Sequence, residues 1–131
     1  RSTKIEITAR CNMKCNFCAQ AMNLRQHGDI DRAFFERIAV EMRQAGVEEL
    51  GLFYLGEPLL TPNIHEYVQF AKHEAGFPYV FMTSNGTLLD LLAALSRDSN
   101  FSVGCYCEDE AHCHRSVLRE LLAEHGARLE R

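Results

Sequence analysis

The sequence lacks any apolar run approaching the roughly 20 residues that a membrane-spanning helix needs. No signal peptide opens it, so we expect a cytoplasmic protein that does not bind membranes. An excess of positive charge is also absent: the net charge of -4 provides no general attraction for nucleic acid. Apolar residues are plentiful, at 47%, and this content in 131 residues argues against disorder and predicts one domain's worth of buried core.

Cysteine is concentrated in two short segments, one near each end of the chain. Cys11, Cys15 and Cys18 form the first group, and Cys105, Cys107 and Cys113 form the second. Without a secretory segment, metal or redox use is favoured over a disulfide framework. Two separate groups indicate two separate local roles.

Four successive strand–helix units are indicated by the hydrophobic pattern. The strands are predicted at residues 4–9, 50–55, 79–82 and 101–106. The second is apolar almost throughout, which predicts a strand covered on both faces, and the third is also predicted to be buried. Such alternation predicts an α/β fold in which parallel strands are joined by right-handed crossovers.

Capping residues predict where the intervening helices begin and end. Asp31 is the expected N-cap of the first helix, and Gly46 is expected to end it. Thr61 is the expected N-cap of the second helix, and Gly76 is expected to end that one. Later helices are predicted at residues 88–95 and 116–124. The expected buried stripes of the first two helices are Phe34, Ile38, Met42 and Ala45, and Ile64, Tyr67, Val68 and Ala71.

Three polar or cysteine-bearing segments fall at the carboxyl ends of the first three predicted strands. They are the cysteine triplet, Gly56-Glu57-Pro58 and Ser84-Asn85-Gly86. Parallel βα units carry their functional residues at this edge of the sheet. We therefore expect one shared site there.

The C-x3-C-x2-C spacing of the triplet suits a cubane cluster, because three thiolates can hold three irons and leave the fourth open to a small molecule. A zinc knuckle is the first alternative, but zinc needs four ligands and only His27 lies close in sequence. A thioredoxin-like redox pair is the second, but it would not require Cys11. The cluster interpretation is favoured.

Together these segments resemble the radical S-adenosylmethionine (radical SAM) superfamily over residues 3–90. Phe17 holds the aromatic position that packs near the adenine in that family. Tyr54-Leu-Gly-Glu-Pro58 is similar to its Gly-Gly-Glu-Pro motif, whose backbone holds the methionine amino group; Leu55 replaces the first glycine. Thr83-Ser-Asn-Gly-Thr-Leu88 resembles the third-strand motif, which lies near the ribose and methionine.

The resemblance implies a partial (βα) TIM-like barrel of about four parallel βα units. The resemblance also implies two cofactors, a [4Fe-4S] cluster and S-adenosylmethionine. Reductive cleavage of S-adenosylmethionine in this family gives a 5'-deoxyadenosyl radical, which abstracts hydrogen from a substrate. A flavodoxin or ferredoxin is the implied electron donor, and the motifs look most like the branch that modifies peptides. No catalytic residue is assigned. The implied metal ligands are Cys11, Cys15 and Cys18, and the implied cofactor-binding residues are Phe17, Gly56, Glu57, Pro58, Ser84 and Asn85.

The second part of the chain departs from that family, whose full barrel has more βα units. Residues 92–127 resemble the C-terminal end of an uncharacterised small α/β domain family, in which a Cys-His-Arg-Ser segment begins a helix, as at Cys113 to Ser116. We therefore predict a radical SAM core at residues 1–90 and a fused or truncated βα segment at 91–131. A partner or second copy supplying the missing wall is the other explanation.

The second cysteine group has three interpretations. Cys113, His114 and Arg115 could bind an anion at the start of a helix. Alternatively, Cys105, Cys107, His112 and Cys113 could hold a second metal or an auxiliary cluster. The favoured interpretation is structural: the cysteines pack the fourth strand, while Arg115 and His114 pair with the acidic residues at 108–110.

Two classes of function therefore stand. The leading one is a radical SAM enzyme, or the catalytic core of one, acting as an oxidoreductase or transferase. The alternative is a non-catalytic iron–sulfur or zinc-binding domain that needs a partner. Formation of 5'-deoxyadenosine separates the two.

Overall fold

The computed structural model of the chain describes residues 1–22, 26–98, 102, 109 and 113–129. The chain divides into two compact units, Arg1–Asn85 and Gly86–Arg131, which we describe one at a time. Among the described residues, no helix is both long enough and apolar enough to cross a membrane.

A three-stranded parallel sheet forms the centre of the first unit. Its strands are β1 (Ser2–Lys4), β2 (Glu49–Gly51) and β3 (Tyr79–Phe81), in the order β1-β2-β3. The register aligns Thr3, Leu50 and Val80 across the sheet. The predicted α/β class with parallel strands is thus confirmed for the first three strands.

The strands are shorter than predicted, and β1 begins and ends earlier. Past Ile5, which still donates its N–H to the Gly51 carbonyl at 2.8 Å, the chain leaves the parallel sheet. It pairs instead with a returning segment: the Ile30 N–H bonds the Ile7 carbonyl at 2.9 Å, and Thr8 forms an antiparallel bridge with Asp29. This long-range pairing has no signature in the alternation of residues 4–9.

Helix α1 (Arg32–Gln44) begins where its cap was predicted, because the Asp31 carboxylate accepts the Phe34 N–H at 2.8 Å. Gly46 follows it with a φ of +84°, as expected for a helix stop. The predicted stripe is wrong by one position: Phe35 and Ala39 are buried, whereas Phe34 is 45% exposed. The edges of Tyr67 and Phe70 meet the Phe35 ring, with centroids 4.9 and 6.1 Å away, and this packing sets the rotation of the helix.

Helix α2 (Ile64–Gln69) runs on into a π-helical turn, Phe70–Glu74. Thr61 was predicted as its cap, but Asn63, in the left-handed region with a φ of 54°, occupies that position. Thr61 instead ends a 3-10 helix, Pro58–Leu60, which the Glu57 side chain caps. Ile64, Tyr67 and Ala71 are buried as predicted, and burial raises the pKa of the Tyr67 phenol.

The two faces of the sheet differ in character. Ile5, Leu50 and Leu52 are buried on one face, and Ile7, beyond the end of the sheet, is buried as well. The other face carries Lys4, Phe53, Tyr79 and Phe81. There the Lys4 ammonium lies 4.9 Å from the centroid of the Phe53 ring, and the centroids of the Phe53 and Phe81 rings are 5.6 Å apart. The prediction that β3 is a buried strand is wrong, because Tyr79 is 55% exposed and no residue of β3 is fully buried.

The second unit contains helices α3 (Leu89–Asp98) and α4 (His114–Glu124), which pack against each other. His125 Nδ1 lies 2.5 Å from Asp90 Oδ1, and the Arg128 N–H donates to Ser96 Oγ at 2.9 Å. Ala93, Cys113 and Leu122 are buried. The predicted fourth strand at residues 101–106 lies outside the described residues, apart from Ser102.

Candidate cluster and cofactor site

The segment that leads into the cysteine triplet is held at several points. The Arg10 guanidinium reaches Asp29 Oδ2 at 2.8 Å and the Leu60 carbonyl at 2.7 Å. The Ala9 N–H donates to the Gly28 carbonyl at 2.8 Å, and the Gln20 side-chain amide donates to the Ala9 carbonyl. These contacts fix the backbone immediately before Cys11.

Cys11, Cys15 and Cys18 are free thiols, each partly exposed to solvent. The Cys18 N–H donates to the Cys15 carbonyl at 3.0 Å, which folds the C-x-x-C portion into a turn. Among the described residues, no three or more His, Cys, Asp or Glu side chains are grouped as ligands of a single metal ion. Three accessible thiols on one loop are a donor set of the kind an iron–sulfur cluster takes, each thiolate binding a different iron.

Gly56 lies where the second-strand segment meets the end of the first. A Cβ atom at this position would lie 2.0 Å from the Thr8 carbonyl oxygen and 2.9 Å from that of Arg10. Real Cβ atoms do not approach so closely, so only glycine fits here. The Glu57 N–H then donates to the Arg10 carbonyl at 2.8 Å, and this bond joins the two segments one residue before Cys11.

Glu6 reaches the same loop from the first strand segment. Its Oε1 accepts the N–H groups of Leu55 at 2.9 Å and of Gly56 at 3.2 Å. One carboxylate oxygen therefore orients two consecutive peptide units of the loop. Leu55, which departs from the family pattern, takes part through its backbone.

Glu57 is a buried carboxylate, 2% exposed, that joins the second- and third-strand segments. Its Oε1 accepts from the Leu59 N–H at 3.1 Å and the Ser84 hydroxyl at 2.8 Å. Its Oε2 accepts the Asn85 N–H at 2.6 Å. Three donors satisfy the buried group, which is the usual condition for burying a carboxylate.

Asn85 connects the third-strand segment to the cysteine loop. Its side-chain Nδ2 donates to Asn12 Oδ1 at 2.8 Å and lies 3.9 Å from Cys11 Sγ. All three strand-end segments named in the sequence analysis thus meet. Cys11, Gly56, Glu57, Ser84 and Asn85 are linked within one network, and Pro58 is buried at the start of the 3-10 helix.

Phe17 is not part of that network and is 93% exposed. Sequence reasoning missed Arg10 and Asn12. Nothing in the sequence pairs Arg10 with Asp29 or Leu60, since these partners come together only on folding. The position of Arg10, one residue before the first cysteine, was the one available signal.

The second cysteine group is described only in part. Cys113 is 2% exposed and its carbonyl accepts from both the N–H and the hydroxyl of Ser116, at 3.0 and 2.8 Å. Cys105 and Cys107 lie outside the described residues, as do the side chains of His114 and Arg115. A second site at these residues therefore stays a prediction.

A cysteine loop that follows the first parallel strand and is linked to the segments that follow β2 and β3 is the arrangement expected of the radical SAM superfamily. Comparisons with known proteins confirm that resemblance. The chain is 34% identical over 87 residues to GTP 3',8-cyclase of Chlorobaculum tepidum, covering 66% of this chain and 26% of that protein. It is also 34% identical over 98 residues to a probable GTP 3',8-cyclase of Methanothermobacter marburgensis, covering 75% and 32%. The chain thus spans at most about a third of these relatives.

The fold is similar to that of BtrN, solved in complex with AdoMet and 2-DOIA. The TM-score is 0.60 at 22% identity, over 70% of this chain and 40% of BtrN. A separate family, described as the "Active DUF488-N3 subclade", matches residues 80–126. That match falls on the part of the chain where a small α/β family was expected.

Proposed function

We propose that this chain carries the cofactor-binding part of a radical SAM enzyme. In this proposal Cys11, Cys15 and Cys18 ligate a [4Fe-4S] cluster whose open iron binds S-adenosylmethionine. The observation that supports it most is the meeting of the three strand-end segments, with Asn85 against Cys11 and Glu57 bonded to Ser84 and Asn85. Similarity to GTP 3',8-cyclases over 66–75% of the chain supports it independently.

In this proposal each residue of the network has a task toward the cofactors. Glu6 and Glu57 orient the loop at Leu55 to Glu57, whose carbonyl oxygens suit the ammonium group of a methionine moiety. The exposed ring of Phe17 is suited to stack on an adenine. When bound and reduced by one electron, the cofactors supply a 5'-deoxyadenosyl radical that abstracts hydrogen from substrate.

The finer parts of the proposal concern the fold and the partners. We propose that these βα units form part of a TIM-like barrel. The face of the sheet that carries Phe53 and Phe81 points into the barrel in this proposal, because the opposite face of the sheet is already buried. A flavodoxin or ferredoxin would supply the electron, and a peptide is the proposed substrate class. A reducing compartment such as the cytoplasm suits free cysteines and a low-potential cluster.

The alternative is a non-catalytic iron–sulfur or zinc-binding domain that needs a partner. It is favoured by one observation: a different family matches residues 80–126, where later barrel units would follow. Under this alternative the protein would take up metal without cleaving S-adenosylmethionine.

The test is anaerobic reconstitution with iron and sulfide, followed by dithionite and S-adenosylmethionine. We expect a brown protein with a cubane spectrum that changes on adding S-adenosylmethionine, and formation of 5'-deoxyadenosine. Cys15→Ala should lose the chromophore, the iron and the product together, whereas Met13→Ala, an exposed change in the same loop, should keep all three.

Colourless protein with stoichiometric zinc would refute the proposal in favour of a zinc module. A cubane spectrum without 5'-deoxyadenosine would favour the non-catalytic alternative. Full iron content in Cys15→Ala would show that the ligand assignment is wrong.

A further inference from the structure

The side-chain amide of Asn85 lies between the side chains of two residues of the cysteine loop. Its nitrogen is 2.8 Å from Asn12 Oδ1 and 3.9 Å from Cys11 Sγ. An amide nitrogen carries two hydrogens, so it can donate one to each neighbour. Asn12 thereby orients the group that faces the sulfur.

The backbone that carries this amide is held by a buried group. Glu57 accepts the Asn85 N–H at 2.6 Å and the hydroxyl of the preceding Ser84 at 2.8 Å. The next residue, Gly86, has a φ of +74°, which glycine adopts without strain. The two bonds to Glu57 therefore hold the backbone at Asn85 in place.

We infer that Asn85 is a positioning residue that donates an N–H···S hydrogen bond to Cys11 and raises the reduction potential of the bound cluster. A donor on a ligand sulfur stabilises the state with more negative charge, which is the reduced cluster, and such bonds are a recognised control of cluster potential. The inference rests on the proposed function, because it needs a cluster on Cys11. It gives Asn85 a role toward the cluster in addition to its proposed contact with S-adenosylmethionine.

The experiment is an EPR-monitored redox titration of the reconstituted full chain without S-adenosylmethionine. Asn85→Ala removes the donor and should shift the midpoint potential to a more negative value at unchanged iron content. Asn85→Asp adds a negative charge at the same place and should shift it further. Asn16 is exposed, as Asn85 is, but among the described residues it makes no hydrogen bond to a cysteine sulfur. Asn16→Ala should therefore leave the potential unchanged, and Asn16→Asp measures what an added charge in the same loop does without the loss of that bond.

Asn85→Leu provides a second test, because it keeps the branched shape of asparagine without a donor. Equal potentials in wild type, Asn85→Ala and Asn85→Leu would overturn the inference and leave the proposed function standing. Loss of iron from both variants would assign Asn85 a structural role and also overturn it. If the wild-type chain builds no cluster, the proposed function fails first and the inference fails with it.

Discussion

Among the described glycines, Gly56 is the one at which an added Cβ would lie closest to another atom. Its Cβ would overlap the Thr8 carbonyl oxygen at 2.0 Å, and that neighbour is backbone in a hydrogen-bonded segment. We expect Gly56→Ala to lower the free energy of unfolding by about 1–3 kcal/mol, the usual cost of overpacking. It should also reduce the amount of cluster taken up, because it separates the loop from Arg10.

Urea unfolding measures the first effect and iron content the second. Gly28→Ala is the matched control, because a Cβ there meets nothing within 4 Å. Its free energy of unfolding should stay within about 0.5 kcal/mol of wild type. Equal losses in the two variants would show that the close approach at Gly56 is not the cause.

Glu57 connects the segment that follows β2 to the segment that follows β3 through its side-chain hydrogen bonds. In Glu57→Gln one carboxylate oxygen becomes an NH2 group, which cannot accept. Replacing Oε2 loses the bond from the Asn85 N–H, and replacing Oε1 loses those from the Leu59 N–H and the Ser84 hydroxyl. The unpaired buried donor should cost about 1–3 kcal/mol of stability in urea unfolding. Glu49→Gln, an exposed change on the sheet, should cost little; a similar loss there would contradict this account.

At the scale of the element, helix α1 depends on its cap. The Asp31 carboxylate accepts the Phe34 N–H at 2.8 Å, and removing such a cap costs about 1 kcal/mol. We expect Asp31→Ala to show that loss in urea unfolding and Asp31→Ser to recover most of it, since serine keeps an acceptor. A serine variant as unstable as the alanine variant would exclude capping as the reason.

Elements were predictable where the signal is local. The cap at Asp31 and the stop at Gly46 depend on residues within one turn, and both predictions are confirmed. The end of β1 was not predictable, because residues 7 to 9 pair with residues 28 to 30 instead of continuing the parallel sheet. The rotation of α1 was missed for the same reason, since Tyr67 and Phe70 decide that Phe35 and not Phe34 is buried.

At the scale of the whole molecule, the two cysteine groups fall in different units, the first in Arg1–Asn85 and the second in Gly86–Arg131. Cys113 is buried, as the packing interpretation expects. We therefore predict one [4Fe-4S] cluster per chain, with iron content unchanged in Cys113→Ala and lost in Cys11→Ala. Iron and zinc analysis of both variants checks this, and loss of metal from Cys113→Ala would point to a second centre.

The sequence by itself determined the parallel α/β class, the spacing of three thiols and the position of three segments after the strands. Each of these depends on residues that are close together in the chain. Only the tertiary structure decided how those segments meet. The bonds from Glu6 to Leu55, from Glu57 to Asn85 and from Arg10 to Leu60 join residues 28 to 50 positions apart. Such bonds form only when the strands are paired and the loops closed, and local patterns carry no record of them.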